Sequence, residues 1–169
     1  TSRKLIIQFI KQYVSPNQSI LDIGCSSGLL LSELFEHKYH NLHGIDISET
    51  AIQNCQDNGL KNTYVMDASK ITLPDDSFDC IIASNIIEHI NNDSETISLW
   101  KTKLKKNGKL IIMVPAFSFL WSTHDELNHH FRRYSKKQFI SLLNKEFNII
   151  KISYWNFFLF LPFYIFCLK

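Results

Sequence analysis

The chain is short of charge imbalance, of clustered cysteine and of anything resembling a leader. Its 18 Lys+Arg against 16 Asp+Glu leave a formal charge of +2. That balance gives no support to nucleic-acid binding, which shows a clustered basic surface, so no nucleic-acid partner is expected. The four cysteines, Cys25, Cys55, Cys80 and Cys167, are scattered, with no C-x-x-C pair among them. Reduced thiols in a cytoplasmic setting follow, without metal ligation by cysteine. Cys80 and Cys167 lie in apolar runs, where a thiol behaves as a small hydrophobe. The start, TSRKLIIQFIKQYV, is helical in period and has no cleavage-type segment; because it opens on Thr1, it reads as a processed or excised chain. There is no internal repeat and no low-complexity tract. What is present is apolar material: 45% of the 169 residues are hydrophobic, enough for a true core in one domain and too much for a disordered tail.

Apolar residues at helical spacing (Leu5, Ile6, Phe9, Ile10, Tyr13) predict a first helix ended by Pro16. Strands are expected at Ser19–Ile23, Leu42–Ile47, Thr63–Met66, Phe78–Ala83, Gly108–Val114 and Phe147–Trp155. Between them, helices are expected from Leu29, from Ser48 to Asn58, over Asp93–Lys106 and over Ser135–Asn144. Lys101, Lys103, Lys105 and Lys106 read as a solvated helix end, and Asp75 and Asp76 as solvated loop charges. The strands are apolar runs rather than alternating ones, as a sheet covered on both faces requires. Strand and helix alternate, so the fold class is α/β: doubly wound, Rossmann-like, with a mostly parallel sheet and helices on both faces.

The composition shifts only at the end. No charge occurs from Ile152 to Leu168, and aromatics crowd that run. Its length is at the short limit for a spanning helix, about 17–25 residues. With the sixth strand subtracted, Asn156–Leu168 is too short to span and contains Pro162. A domain over 1–155 followed by a hydrophobic aromatic segment over 156–169 is the resulting division. Three readings of that segment stand: buried core or homodimer contact, a peripheral membrane or lipid contact through 156–168, or a truncated span.

The turn after the first strand reads Asp22-Ile23-Gly24-Cys25-Ser26-Ser27-Gly28. Gly24 and Gly28 let backbone pass close to a ligand, and the following helix offers unpaired N–H groups. A nicotinamide-type G-x-G-x-x-G would need glycine at 26 and 29, where the chain has Ser26 and Leu29. No G-x-x-x-x-G-K-[ST] phosphate loop is present.

LDIGCSSG resembles the first motif of class I S-adenosylmethionine-dependent methyltransferases, with Asp22, Gly24 and Gly28 matching and Ser26 in place of the middle glycine. HGIDIS, MDAS, LPDDSFDCIIASNIIEHI and NGKLIIMVP follow in the order of that family's later motifs, so the resemblance runs from Leu5 to Tyr154. It implies S-adenosyl-L-methionine as cofactor. The implied cofactor-binding residues are Asp22, Gly24, Cys25, Ser26, Gly28, Asp46, Ile47, Asp67, Ala68, Ser84 and Asn85. Among these, Asp46 would accept hydrogen bonds from the ribose hydroxyls, Asp67 with the Ala68 backbone would hold the adenine amino group, and Ser84-Asn85 would lie beside the methionine part. Asp22 as a turn cap and Asp67 in an ordinary turn remain structural alternatives.

Methyl transfer from a sulfonium needs alignment and desolvation above all, and a general base only when the acceptor must lose a proton early. The acceptor side is expected in PAFSFLWSTHDELNHHFRRY, after the fifth strand. The stretch DELNHHFRRYS resembles a run in ubiquinone-biosynthesis-like small-molecule methyltransferases, where the loop covers the active site. His130 and His124 are the general-base candidates, and His89, Trp121, Arg132, Arg133 and Tyr134 the substrate-binding ones. Arg132 and Arg133 either hold an anionic acceptor or pair with Asp125 or Glu126, and Glu88-His89 either starts a helix or lines the pocket. His124-x4-His129 lacks an identifiable third ligand, so no metal is expected. The resulting expectation is methyl transfer to a small-molecule or lipid-like acceptor in a cytoplasmic or membrane-associated protein. The alternative is a non-catalytic methyltransferase-like module whose hydrophobic tail contacts a partner. Base-amino methylation is disfavoured, since SNII stands where an N-P-P-[YF] motif would. Without a seventh, antiparallel strand the sheet would keep an exposed edge, which favours a missing segment or a homodimer.

Overall fold

In the computed structural model, residues 2–154 are described. The aromatic segment 156–169, with Cys167 and the expected membrane contact, lies outside the described residues, as does Trp155. Strands β1 (Ile20–Ile23), β2 (Leu42–Asp46), β3 (Thr63–Val65), β4 (Phe78–Ser84) and β5 (Leu104–Met113) alternate with helices. The helices are α1 (Ser2–Tyr13), α2 (Leu29–Glu36), α3 (Glu49–Asp57), α4 (Asp93–Lys103), α5 (Thr123–Leu127) and α6 (Lys136–Leu143). The sheet order is β3-β2-β1-β4-β5 and every pairing is parallel.

The apolar strands divide their side chains between two cores. Ile20, Leu42, Cys80 and Ile82 pack with Ile6, Ile7 and Ile10 of α1, Leu31 and Leu34 of α2, and Ile52 and Cys55 of α3. Leu21, Ile23, Ile45, Ile81 and Ala83 turn the other way, onto Ile97 and Trp100 of α4 and Phe139 and Leu143 of α6. This two-sided burial is the reason for the near-continuous apolar runs. Because all five strands are parallel, their carboxyl ends lie along one edge. The strand order reverses beside β1, which opens a crevice there.

Three expectations are corrected. Helix α4 stops at Lys103 instead of Lys106, because the chain from Leu104 pairs with β4 (Leu104 beside Phe78, then Lys109 beside Cys80 after a register irregularity). Three of the four lysines expected to be solvated are paired instead: Lys101 meets Glu146 at 2.9 Å, Lys103 meets Asp75 at 2.6 Å, and Lys105 meets Asp79 at 2.7 Å, while Lys106 is exposed. Finally, residues 147–154 form no strand. Phe147, Ile149 and Ile152 pack against the second core, but among the described residues no neighbouring backbone completes a ladder with them. On β5, Leu110, Ile111, Ile112 and Met113 are only half-buried. They mark the edge strand whose outer side has no strand partner among the described residues.

Candidate functional site at the carboxyl edge

The first turn depends on left-handed backbone. Gly24 has φ 73° and Gly28 φ 77°, and Ser26 between them takes φ 49°. A side chain at Gly24 would collide with Ile86, and one at Gly28 with Leu60 and Cys55. The Ile45 carbonyl accepts from the Gly24 and Cys25 N–H groups at 2.8 and 3.0 Å, which ties the turn to β2. The Asp46 carboxylate completes the tie, accepting from Ser26 N–H at 2.8 Å through Oδ2 and from Ser48 N–H at 2.9 Å through Oδ1. Helix α2 follows with no side-chain cap on its N-terminus, so its first N–H groups are open to an acceptor. The Cys25 thiol turns into the first core, and burial pushes it well above the usual thiol range; only its backbone belongs to the turn surface.

The other expected residues are strung along the same edge. Asp22, within β1, is buried among apolar neighbours, and its carboxyl is pushed up to about 7 by that burial and by the Asp46 charge. Ile47, directly after Asp46, is 74% exposed, an unusual position for an isoleucine beside a carboxylate. Asp67 accepts from the Ser69 N–H and hydroxyl, both at 2.8 Å. Those two bonds hold its carboxyl below the usual range. The Ala68 carbonyl accepts from the Trp100 indole at 2.8 Å, which anchors this turn to α4. Ser84 ends β4, and exposed Asn85 follows at φ 56°, its N–H donating to the Met113 carbonyl at 3.0 Å. The motif residue Asp79 lies at the opposite end of β4. Burial opposes its charge, but Lys105 and Ser19 outweigh that and bring its carboxyl down to about 2.

On the acceptor side the loops after β4 and β5 meet. A single 3-10 turn, Ile87–His89, follows β4, and the Glu88 carbonyl accepts from Phe131 N–H at 2.8 Å. Asp125, fully buried in α5, is the hub. Its Oδ1 stands 2.9 Å from His130 Nδ1 and 2.7 Å from Arg133 Nε, while Oδ2 accepts from Ser122 N–H at 2.9 Å. Burial opposes that charge, but Arg133, His130 and Ser122 together hold the carboxyl well below the usual range. Arg132 pairs with Asp93 at 2.7 Å, and Asp93 also accepts from the Tyr134 hydroxyl at 3.0 Å. Of the two pairings open for these arginines in the sequence, Arg133 takes Asp125, and Arg132 takes Asp93, which the sequence did not single out. With Gln138 and Leu142, these two arginines, Asp93 and Tyr134 line a cavity of about 280 Å³.

The His89 and His130 rings lie 4.6 Å apart, edge to face, with His124 6.4 Å from His130. Trp121, Phe119, Leu127 and Phe131 expose apolar surface around them. His129 is exposed. Glu88 is fully buried, and neither carboxyl oxygen has a hydrogen-bond partner among the described residues. Burial, and then the Asp125 charge, push it up to about 7. The only sequence signal for it was the Glu88-His89 pair itself.

Residues 21–112 match the family described as "Methyltransferase domain". Ubiquinone biosynthesis O-methyltransferase of Rickettsia felis is 32% identical over 97 residues, covering 55% of this chain and 39% of that protein. Ribosomal protein L11 methyltransferase of Paraburkholderia phytofirmans is 30% identical over 110 residues, covering 64% of this chain and 36% of that protein. The chain thus spans well under half the length of these curated relatives. Phosphoethanolamine N-methyltransferase 2 of Haemonchus contortus, solved in complex with S-adenosyl-L-methionine, superposes with a TM-score of 0.73 at 20% identity. That superposition covers 85% of this chain and 36% of that one, and it shows a shared fold. The family match runs from β1 to β5 and takes in more than half of the chain, and the protein belongs to the methyltransferase-domain family of class I S-adenosylmethionine-dependent methyltransferases.

Proposed function

We propose that the chain binds S-adenosyl-L-methionine along the carboxyl edge of β1, β2, β3 and β4 and transfers its methyl group to a small-molecule or lipid-like acceptor. The observation that carries this reading is Asp46. Its carboxylate ends β2 beside the glycine turn and an exposed Ile47. Each oxygen accepts one backbone N–H and so keeps a lone pair for a ribose hydroxyl. Around it, Gly24 and Gly28, with the Cys25 and Ser26 backbone, would follow the cofactor closely. Ile47 would cover the adenine, and Asp67 with Ala68 would meet its amino group. The open α2 N-terminus suits the amino-acid carboxylate, and Asp22, Ser84 and Asn85 would face the cationic methionine part.

Bound S-adenosyl-L-methionine supplies an activated methyl carbon. The residues of this chain then align the acceptor behind that carbon and exclude water. The exposed aromatics Phe119, Trp121 and Phe131, with His89, Arg132, Arg133 and Tyr134 among the polar groups, suit an acceptor with an apolar body and a polar head. His130, whose Nδ1 is held by Asp125, is placed for the acceptor's proton, with His124 as second candidate. No helix among the described residues is long and apolar enough to cross a membrane. The outer edge of β5, which has no strand partner among the described residues, favours cover by a second copy or by further chain, and the buried thiols of Cys25, Cys55 and Cys80 fit a cytoplasmic setting.

Methyl-labelled S-adenosyl-L-methionine supplied with a cell extract tests the acceptor class. Label in the organic-extractable or small-molecule fraction is expected. Label confined to precipitated protein would replace that class with a protein acceptor, and cofactor binding without any transfer would favour the non-catalytic module.

A further inference from the structure

Glu88 is anomalous in this fold. A buried carboxyl is ordinarily paired, hydrogen-bonded or bound to a metal, yet both of its oxygens lack a partner among the described residues. It does not stand alone. Glu88, His89 and His130 each offer one ligand atom, and these atoms all lie within 4.8 Å of one another. Metal–nitrogen and metal–oxygen bonds of about 2.0–2.2 Å place tetrahedral donors roughly 3.4 Å apart, so side-chain adjustments of about 1 Å would bring all three onto one ion.

The surroundings are those of metal-bound histidines. A ligating imidazole almost always gives its other nitrogen to a carboxylate or a backbone carbonyl, which fixes ring and tautomer. His130 Nδ1 is held by Asp125 at 2.9 Å, which leaves Nε2 as its free nitrogen. Asp125 is in turn fixed by Arg133 and by Ser122. The two loops that carry the ligands are clipped together by the bond from Phe131 N–H to the Glu88 carbonyl. The described cysteines, Cys25, Cys55 and Cys80, are buried in the first core and offer no thiolate to this cluster.

We propose that Glu88, His89 and His130 bind a divalent transition-metal ion of the zinc class, through one carboxylate and two imidazoles, with a coordination position left open. Two histidines and one glutamate with an open position match a catalytic rather than a structural zinc set. The ion neutralises the Glu88 carboxylate and fills the space its oxygens face. That an acceptor hydroxyl takes the open position and gives up its proton more readily there, to His124 or to solvent because a metal-bound His130 has no nitrogen left for it, rests on the methyl-transfer reading; the metal site does not.

The test is titration of chelator-treated, folded protein with Co²⁺, followed by its visible d–d absorption and by displacement with Zn²⁺. One ion per chain is expected, with micromolar affinity, a spectrum of nitrogen and oxygen ligation, and no thiolate charge-transfer band. Glu88→Gln and His89→Asn should each weaken binding at least about tenfold. Zn²⁺ should raise the melting temperature of the native chain and not that of Glu88→Gln. Glu88→Gln only neutralises a carboxyl that already lacks partners, so it is expected to fold. No uptake below millimolar Co²⁺, a thiolate band, or affinity unchanged in both variants overturns the proposal. S-adenosylhomocysteine binding measured on the same samples keeps the two readings apart: metal uptake without it removes the methyl-transfer reading alone, and the reverse removes the metal site alone.

Discussion

Ser26 holds a left-handed backbone, φ 49°, while its N–H donates to Asp46 Oδ2 at 2.8 Å. The bond fixes a residue with a Cβ in a conformation that costs a non-glycine residue roughly 1–2 kcal/mol. Ser26 stands where the family motif has its middle glycine, and Asp46 holds it there. Ser26→Gly removes the steric cost and keeps the N–H, so it should raise stability by about 1 kcal/mol, read from urea midpoints. A loss of stability would mean that the Ser26 hydroxyl carries weight of its own.

Asp46→Ala removes the acceptor for two N–H groups and, on the reading above, the ribose contact. Loss of charge-assisted bonds worth about 1.5–3 kcal/mol should weaken S-adenosylhomocysteine binding by about 10- to 100-fold. Asp46→Asn, which keeps one oxygen, should fall between. Calorimetric affinities of the three chains decide this, and equal affinities would take Asp46 out of the site.

Asp22 makes stability depend on pH in an uncommon direction. Its carboxyl titrates near 3.9 in an unfolded chain and at about 7 when buried next to Asp46. Between those values the folded state binds the extra proton, so stability falls as pH rises from about 4 to about 7. Asp79, lowered to about 2, acts oppositely: its contribution is present above about pH 4 and is lost as pH falls towards 2. Stability should therefore be greatest at about pH 4, where the rising and falling windows meet, and Asp22→Asn should flatten the decline above it by on the order of 2–4 kcal/mol. Urea midpoints from about pH 4 to about pH 8 check the sign, and a maximum above neutrality would refute it.

Asp125 binds the acceptor-side loop together. Asp125→Ala leaves the Arg133 guanidinium, 8% exposed, without its carboxylate and frees His130 Nδ1. Breaking a buried pair on one side costs about 3–5 kcal/mol, so denaturation should show a loss of that order, with a smaller loss for Asp125→Asn. A loss under about 1 kcal/mol would reduce the pair to a surface contact.

The glycine turn, the strand-ending Asp46 and the α/β alternation were legible because each is local: turn, strand end and helix start lie within a few residues of one another. What was not legible depends on pairing at a distance. Residues 104–107 carry a helix-like run of lysines, yet pairing with β4 makes them strand. Residues 147–154 read as a strand in sequence, but among the described residues none lies beside them to complete a ladder. Glu88 looks like an ordinary loop carboxyl until the β5 loop folds over it and brings His130 beside His89. His124-x4-His129 was likewise a spacing on one segment, whereas the cluster in the fold draws its residues from two.

The most direct test of the central claim is calorimetric titration of the folded chain with S-adenosylhomocysteine, with NADH as control. The account predicts one micromolar site for the former, weakened by Asp46→Ala, and none for the latter. Absence of S-adenosylhomocysteine binding in a chain shown to be folded, or equal binding of NADH, would contradict it.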